Sequence, residues 1–346
     1  MAGKTAKGKC TGAIPPCLPA AKNRNCTPAT SKRDARVNEP TCQPRSVGGT
    51  ILGLLSILCW SLSIAFARRV TEDFGIFDGL AISFFAGGTL GCVWLASTGR
   101  LRRALAMPRA YHLVCGGLMV GYCLCYSMAI GLACDRQTVL EVGIINYLWP
   151  GLTMLLAVPI LGRRAKPLLL PGILLAFAGA ALSLGQGSGF SWDAFGRHLL
   201  SCSRAHLLAL AAALLWGLYS NFNARLSVGT DGVAAPLHLM AAGMGLFVMR
   251  IATGGSTTWH PDDVSWIYLA ATAIFPVLLG YMFWEAAMRR GHLNIVVPAS
   301  YGTPLLSTVV SVFVLGVQPG PGLWIACMLV IAGALICKSA LREPVA

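Results

Sequence analysis

Trp216, Tyr219, Ser220 and Asn223 recur at intervals of three and four residues, the spacing that puts side chains on one face of an α-helix. Asn146, Trp149, Pro150 and Thr153 do the same, and Ser300, Tyr301, Pro304 and Ser307 approximate it. Tyr122 and Tyr126 are i,i+4 neighbours, Tyr281 and Glu285 repeat that spacing later in the chain, and Trp60 with Ser63 forms a sparser stripe. Rigid rings offer apolar contact and edge-to-face packing, while amides and hydroxyls can fix one polar end of a guest. The chemistry these residues suit is recognition of a small amphiphile with an aromatic part. The competing reading is that Ser and Thr bond their own backbone and that Trp and Tyr sit in interfacial belts, which fits Trp94, Trp192, Trp259 and Trp266.

No residue set supports catalysis. The acids in apolar segments do not pair at a defined spacing, HExxH and GxSxG do not occur, and Gly185-Gln-Gly-Ser-Gly189 lacks the strand and lysine of a nucleotide loop. No enzyme activity, cofactor, metal or ATP-driven step is expected. Glu285, beside Trp284 and a turn before Arg289 and Arg290, reads in two ways: an end anchor paired with an arginine, or a cavity group that binds an amine or a proton. Glu141, five residues after Arg136, reads as a cation-facing group at an outer mouth, and Asp78 as interfacial. His238 and His292 receive no assignment.

Elements must carry these stripes, and the composition makes them membrane helices. The 346 residues are 55% hydrophobic and 12% charged, with mean hydropathy +0.66. Uncharged stretches run 51–67, 79–99, 113–134, 142–162, 167–192, 205–224, 232–249 and 264–284, and no charged residue lies between Leu293 and Cys337. About 20 apolar residues cross a bilayer, so this last run, broken by Gly316-Val-Gln-Pro-Gly-Pro-Gly322, supplies two spans. The expected fold is an all-α membrane protein of ten spans. With the N-terminus inside, the cytoplasmic segments hold 21 Lys and Arg and the outer segments six, namely Arg68, Arg69, Arg136, Arg197, Arg204 and Arg250. Both termini are therefore expected inside, and the net charge of +14 reflects topology, not nucleic-acid binding.

Residues 1–49 read as a disordered basic cytoplasmic tail. They hold nine Lys or Arg and four cysteines, Cys10, Cys17, Cys26 and Cys42, with no zinc spacing, no histidine and no signal-peptide apolar region before Thr50. Beside anionic lipid such a tail adds surface attraction. The rest divides into a first five-helix unit over 50–186, an outer connecting loop over 187–204, a second five-helix unit over 205–338 and a cytoplasmic tail over 339–346.

The two units are copies. At an offset of 154, Tyr147-Leu-Trp-Pro150 lies over Tyr301-Gly-Thr-Pro304 and Ala178-Gly-Ala180 over Ala332-Gly-Ala334, while Gly121-Tyr122 matches Gly280-Tyr281 and Trp60 matches Trp216 with small loop differences. Five spans per copy invert the second copy, the usual arrangement in alternating-access transporters, with a site near mid-membrane. Pro150 and Pro304, matched across the copies, are expected to kink their helices as a hinge or gate. The small residues at 176–181 and 331–334 suggest close packing of the fifth and tenth spans, or a dimer contact; monomer and homodimer both stay open.

Over residues 50–338 the chain resembles the drug/metabolite transporter superfamily of EamA type, with its two five-helix repeats, and within it the aromatic amino acid exporters of YddG type. The resemblance rests on Arg136-Gln-Thr-Val-Leu-Glu141 leading into Val142-Gly-Ile-Ile-Asn-Tyr-Leu-Trp-Pro150, on Leu218-Tyr-Ser-Asn-Phe-Asn223 and on Ala299-Ser-Tyr-Gly-Thr-Pro-Leu-Leu-Ser307. It implies export of aromatic and other hydrophobic amino acids across a bacterial inner membrane. It also implies a central cavity, to which Asn146, Tyr147, Trp149, Tyr219, Asn223, Ser300 and Tyr301 carry over on those motifs. An exporter of another small amphiphile, such as a drug cation or nucleoside, is the alternative, and in it Glu285 and Glu141 would matter more than the rings.

Overall fold

The computed structural model describes residues 45–185, 191–228, 230, 233–254, 259–315 and 321–342. The tail over 1–44, with its four cysteines, lies outside the described residues. Seven described helices are long and apolar enough to cross a membrane: Ile76–Ser97, Arg109–Gly131, Gln137–Leu161, Ser203–Leu226, Ala235–Ala252, Asp263–Arg290 and Gly322–Ala340. They occupy the expected second, third, fourth, sixth, seventh, eighth and tenth spans. Val47–Ser61 and Leu169–Gly185, at the first and fifth places, are shorter apolar helices. The ninth is in pieces: Leu293–Ala299, a tight turn over Ser300–Gly302, and Thr303–Leu315. The expected count of ten is therefore not reached by whole helices of full length.

The interruptions have local causes. The first span breaks at Leu62, between Val47–Ser61 and Ser63–Phe74. There the Ser61 and Ser63 hydroxyls donate back to Leu58 O (2.7 Å) and Trp60 O (2.6 Å), competing with the backbone ladder. Ser307 donates to the freed Ser61 carbonyl at 2.9 Å, so the break is satisfied by a neighbouring span. The fourth span divides into Arg136–Asn146 and Trp149–Leu161, with Pro150 in the first turn of the second piece, where its missing N–H is not needed. Pro304 likewise follows the turn at Ser300–Gly302. The two prolines thus start new half-helices instead of kinking continuous ones, and the breaks fall at repeat-related positions. A second irregularity is the widened π-type turn at His112–Gly116, five residues before Gly121-Tyr122, and again at Ala273–Leu279, directly before Gly280-Tyr281.

Packing follows the repeat. The second span lies along the seventh and the fifth along the tenth, while the third and first lie along the sixth and eighth, their exchanged counterparts. Glycines allow the close approaches. A Cβ on Gly243 would lie 2.5 Å from the Phe85 backbone nitrogen, and one on Gly179 would lie 2.8 Å from the Ala326 carbonyl. The small-residue stripes of the fifth and tenth spans are thus used within the chain.

Charged and polar contacts gather at the two ends of the bundle. Arg69 pairs with Asp73 and Asp262, and Arg250 with Asp78, at one end. At the other, Arg45 donates to Gly291 O, and the two-residue strands Arg164–Ala165 and Leu341–Arg342 pair antiparallel. The connecting segment differs from a plain loop. It contains the helix Trp192–Ser201, with Trp192 and Leu200 exposed, an amphipathic element the sequence pattern did not reveal.

Candidate functional site

Repeat-related aromatics meet at the centre of the bundle. Trp60 and its counterpart Trp216 pack edge to face with ring centroids 5.5 Å apart. Tyr281 reaches Trp60 at 5.8 Å, and its counterpart Tyr122 reaches Trp216 at 4.9 Å, so the same contact is made twice about the pseudo-twofold. Trp149 touches both, at 6.1 Å from Trp60 and 6.0 Å from Trp216. Tyr219 packs on Trp216 at 5.1 Å, and Tyr126 stacks on Tyr122 at 6.0 Å. The close approach of Trp60 needs Gly280, where a Cβ would lie 2.6 Å from its indole nitrogen. That nitrogen donates to the Pro276 carbonyl at 3.1 Å, in the widened turn.

Sequence reasoning missed one ring. Trp284 is fully buried, lies 5.2 Å from Trp60 and 5.3 Å from Trp149, and donates to Ser220 Oγ at 3.1 Å. It has no aromatic counterpart in the first repeat, so the repeat comparison could not find it; its i+3 spacing from Tyr281 was the available signal.

Within this apolar centre several buried polar atoms have no hydrogen-bond partner among the described residues: Trp216 Nε1, Tyr219 Oη, Asn223 Nδ2 and Asn146 Oδ1. Three of them lie on one face of a single helix, spread over about 10 Å of its axis. Buried polar groups are normally paired, because leaving one unpaired costs about 1–3 kcal/mol. Unpartnered donors on a helix that also carries the clustered rings can serve the polar end of a guest whose apolar part meets those rings.

The remaining expected residues divide. Tyr301 is buried, with its hydroxyl against Gly151, so the breaks of the fourth and ninth spans pack on each other; Pro150 and Pro304 are buried beside them. Ser300 donates to Val297 O at 2.6 Å in its own turn and is satisfied there. Tyr147 is half-buried at the break, and no ring contact joins it to the cluster among the described residues.

The acids are occupied by structural partners. Glu285 accepts from Tyr111 Oη (2.8 Å) and from the backbone N–H of Ala234 (3.0 Å) and Ala235 (2.7 Å), so it caps the seventh span. The Tyr111 hydroxyl, whose one proton goes to Glu285, also lies 3.2 Å from the Asn223 side-chain amide, tying that cap to the polar row. Glu141, expected at an open mouth, is fully buried and accepts from Gln137 Nε2 (2.8 Å) while contacting His198 Nδ1 (3.0 Å) and His206 Nε2 (2.9 Å). Asp78 is buried, paired with Arg250 at 2.9 Å and bonded by Trp259 at 3.1 Å. His238 stacks on Tyr111, and His292 lies 2.9 Å from Thr50 Oγ1. Asp135 caps the fourth span, and hydrogen bonds from the Thr138 N–H and hydroxyl hold its carboxyl below the ordinary range.

Beside this cluster Cys134 and Cys202 form a disulfide across 68 residues of chain. Closing such a loop restricts the unfolded state, an effect of about 2–4 kcal/mol. Reductant is expected to lower the thermal midpoint of the purified protein and to leave that of Cys202→Ser unchanged. Equal sensitivity of the two would show that the bond is not formed.

A helical bundle with seven membrane-length apolar helices, made of two copies of one unit, has the architecture of a membrane transporter. The EamA-like transporter family matches residues 47–185 and 203–338, and the chain belongs to it. Among its relatives, the aromatic amino acid exporter YddG of Escherichia coli (strain K12) is 28% identical over 294 residues, spanning 85% of this chain and 98% of that protein. The exporter of the same name from Ancylobacter novellus is 29% identical over 297 residues, with the same coverage. A solved crystal structure superposes with TM-score 0.72 at 26% identity, covering 84% of this chain and 96% of that one.

Proposed function

We propose that the protein exports aromatic and other hydrophobic amino acids by alternating access across a bacterial inner membrane. The observation that carries this reading is the row of unpartnered polar atoms on Trp216, Tyr219 and Asn223 along one helix whose Trp216 and Tyr219 belong to the ring cluster. The donors suit a carboxylate, Asn146 Oδ1 suits an ammonium group, and the substrate ring replaces contacts the cluster makes with itself. The names of the relatives support the substrate class. In this reading the chain makes ten passes, counting the interrupted first and ninth and the short fifth. Both termini lie in the cytoplasm, and the disulfide lies on the oxidising side. The repeat-matched breaks before Pro150 and Pro304 are where the half-helices tilt.

Cells that make the protein are expected to tolerate toxic phenylalanine and tryptophan analogues and to release labelled phenylalanine faster than cells with an empty vector. Faster release of a nucleoside or a drug cation, with unchanged amino acid release, would overturn the substrate class.

A further inference from the structure

We propose that the cavity between the ends of the first, second and eighth spans binds the headgroup of an anionic phospholipid. The cavity, about 330 Å³ in volume, is lined by Arg100, Arg103, Arg289 and Arg290. The arginines come from one segment of each repeat. Convergent guanidiniums at the charged end of a bundle suit a phosphate diester, which accepts paired hydrogen bonds from each fork.

The other walls decide between a soluble anion and a lipid. Leu52, Met282, Phe283 and Val233 make one side apolar. Trp94 stands at the edge, with the Arg100 guanidinium 5.5 Å from its ring centroid, an amphipathic pair of the kind that sits at headgroup depth. One turn deeper, the helix of Leu52 exposes Leu55 (38%) and the helix of Trp94 exposes Leu90 (47%), so apolar surface continues towards the hydrocarbon on both. A free phosphate has no use for that surface, whereas an acyl chain does. Basic pockets between spans at the positively charged face of a bundle are recognised headgroup sites. The site is separate from the ring cluster: Trp60 lies eight residues beyond Leu52 on the same helix, about 12 Å along its axis.

The test uses the full chain in neutral detergent, titrated with dioleoylphosphatidylglycerol, with dioleoylphosphatidylethanolamine or with inorganic phosphate, and read by native mass spectrometry and thermal midpoint. Phosphatidylglycerol is expected to be retained and to raise the midpoint, and the other two to do neither. Arg100→Gln with Arg103→Gln is expected to weaken phosphatidylglycerol about 25-fold, at about fivefold per arginine. Arg164→Gln with Arg342→Gln, exposed arginines on the paired strands, is expected to change nothing. Leu52→Trp, which fills the apolar wall and keeps every charge, is expected to displace the lipid too, and it serves if the double variant does not fold. Equal retention of phosphatidylethanolamine, or equal weakening in the strand control, would contradict the proposal. So would displacement of the lipid by millimolar phosphate, which would mark a soluble-anion site.

Discussion

Glu285→Ala is expected to cost about 2–6 kcal/mol of stability and to leave little folded protein, because two buried backbone donors lose their acceptor at about 1–3 kcal/mol each. Its carboxylate takes the Ala234 and Ala235 N–H groups and the Tyr111 hydroxyl at 2.7–3.0 Å. Alanine leaves the two backbone donors without a partner at a site with no exposure, while Tyr111 can turn to Asn223. In hydrocarbon surroundings water cannot replace that acceptor. Glu285→Gln keeps one carbonyl oxygen and is expected to lose less than half as much. The measurement is the thermal midpoint of the purified protein with the fraction eluting as a monodisperse peak. If Glu285→Ala kept the parental midpoint and lost transport alone, the residue would be a substrate or proton group instead of a helix cap.

Glu141→Leu is expected to have a comparable effect at the opposite end. The carboxylate joins three segments: Gln137 on its own helix, His198 on the connecting helix and His206 on the sixth span. His206 Nδ1 has no partner, so the ring proton sits on Nε2 and points at Glu141. Leucine fills similar volume but strands that N–H and releases the connecting helix, which also holds one end of the disulfide segment. A loss of about 3 kcal/mol is expected, together with faster proteolysis between residues 186 and 202. Parental protease resistance in Glu141→Leu would show that the histidines are held by packing alone.

Much of this was legible because a two-repeat chain writes its constraints twice. Pro150 and Pro304, Tyr122 and Tyr281, and Trp60 and Trp216 stood out as pairs, and each pair lies at a matched break or in the central cluster. Features without a counterpart were not legible. Trp284 has no aromatic mate, Tyr111 precedes an apolar run without a stripe, and His198 lies in a segment too short and too polar to look like structure. Glu285 stayed ambiguous because its partners are backbone N–H groups 50 and 51 residues away, which no side-chain pattern encodes. Span lengths were overestimated where hydroxyls and prolines interrupt helices whose composition stays apolar.

The most direct measurement of the central claim is counterflow of tryptophan and alanine into proteoliposomes, for the parent, Trp149→Ala and Trp216→Ala at equal protein density. The rings contribute about 0.5–1.5 kcal/mol beyond area burial, so each substitution is expected to lower the preference for tryptophan over alanine by about two- to twelvefold. Asn146→Ala and Asn223→Ala are expected to weaken both amino acids alike, because the proposed function assigns them to the backbone atoms that the two substrates share. An unchanged tryptophan-to-alanine ratio in both tryptophan variants, with transport still active, would contradict the account and leave the aromatic cluster as packing.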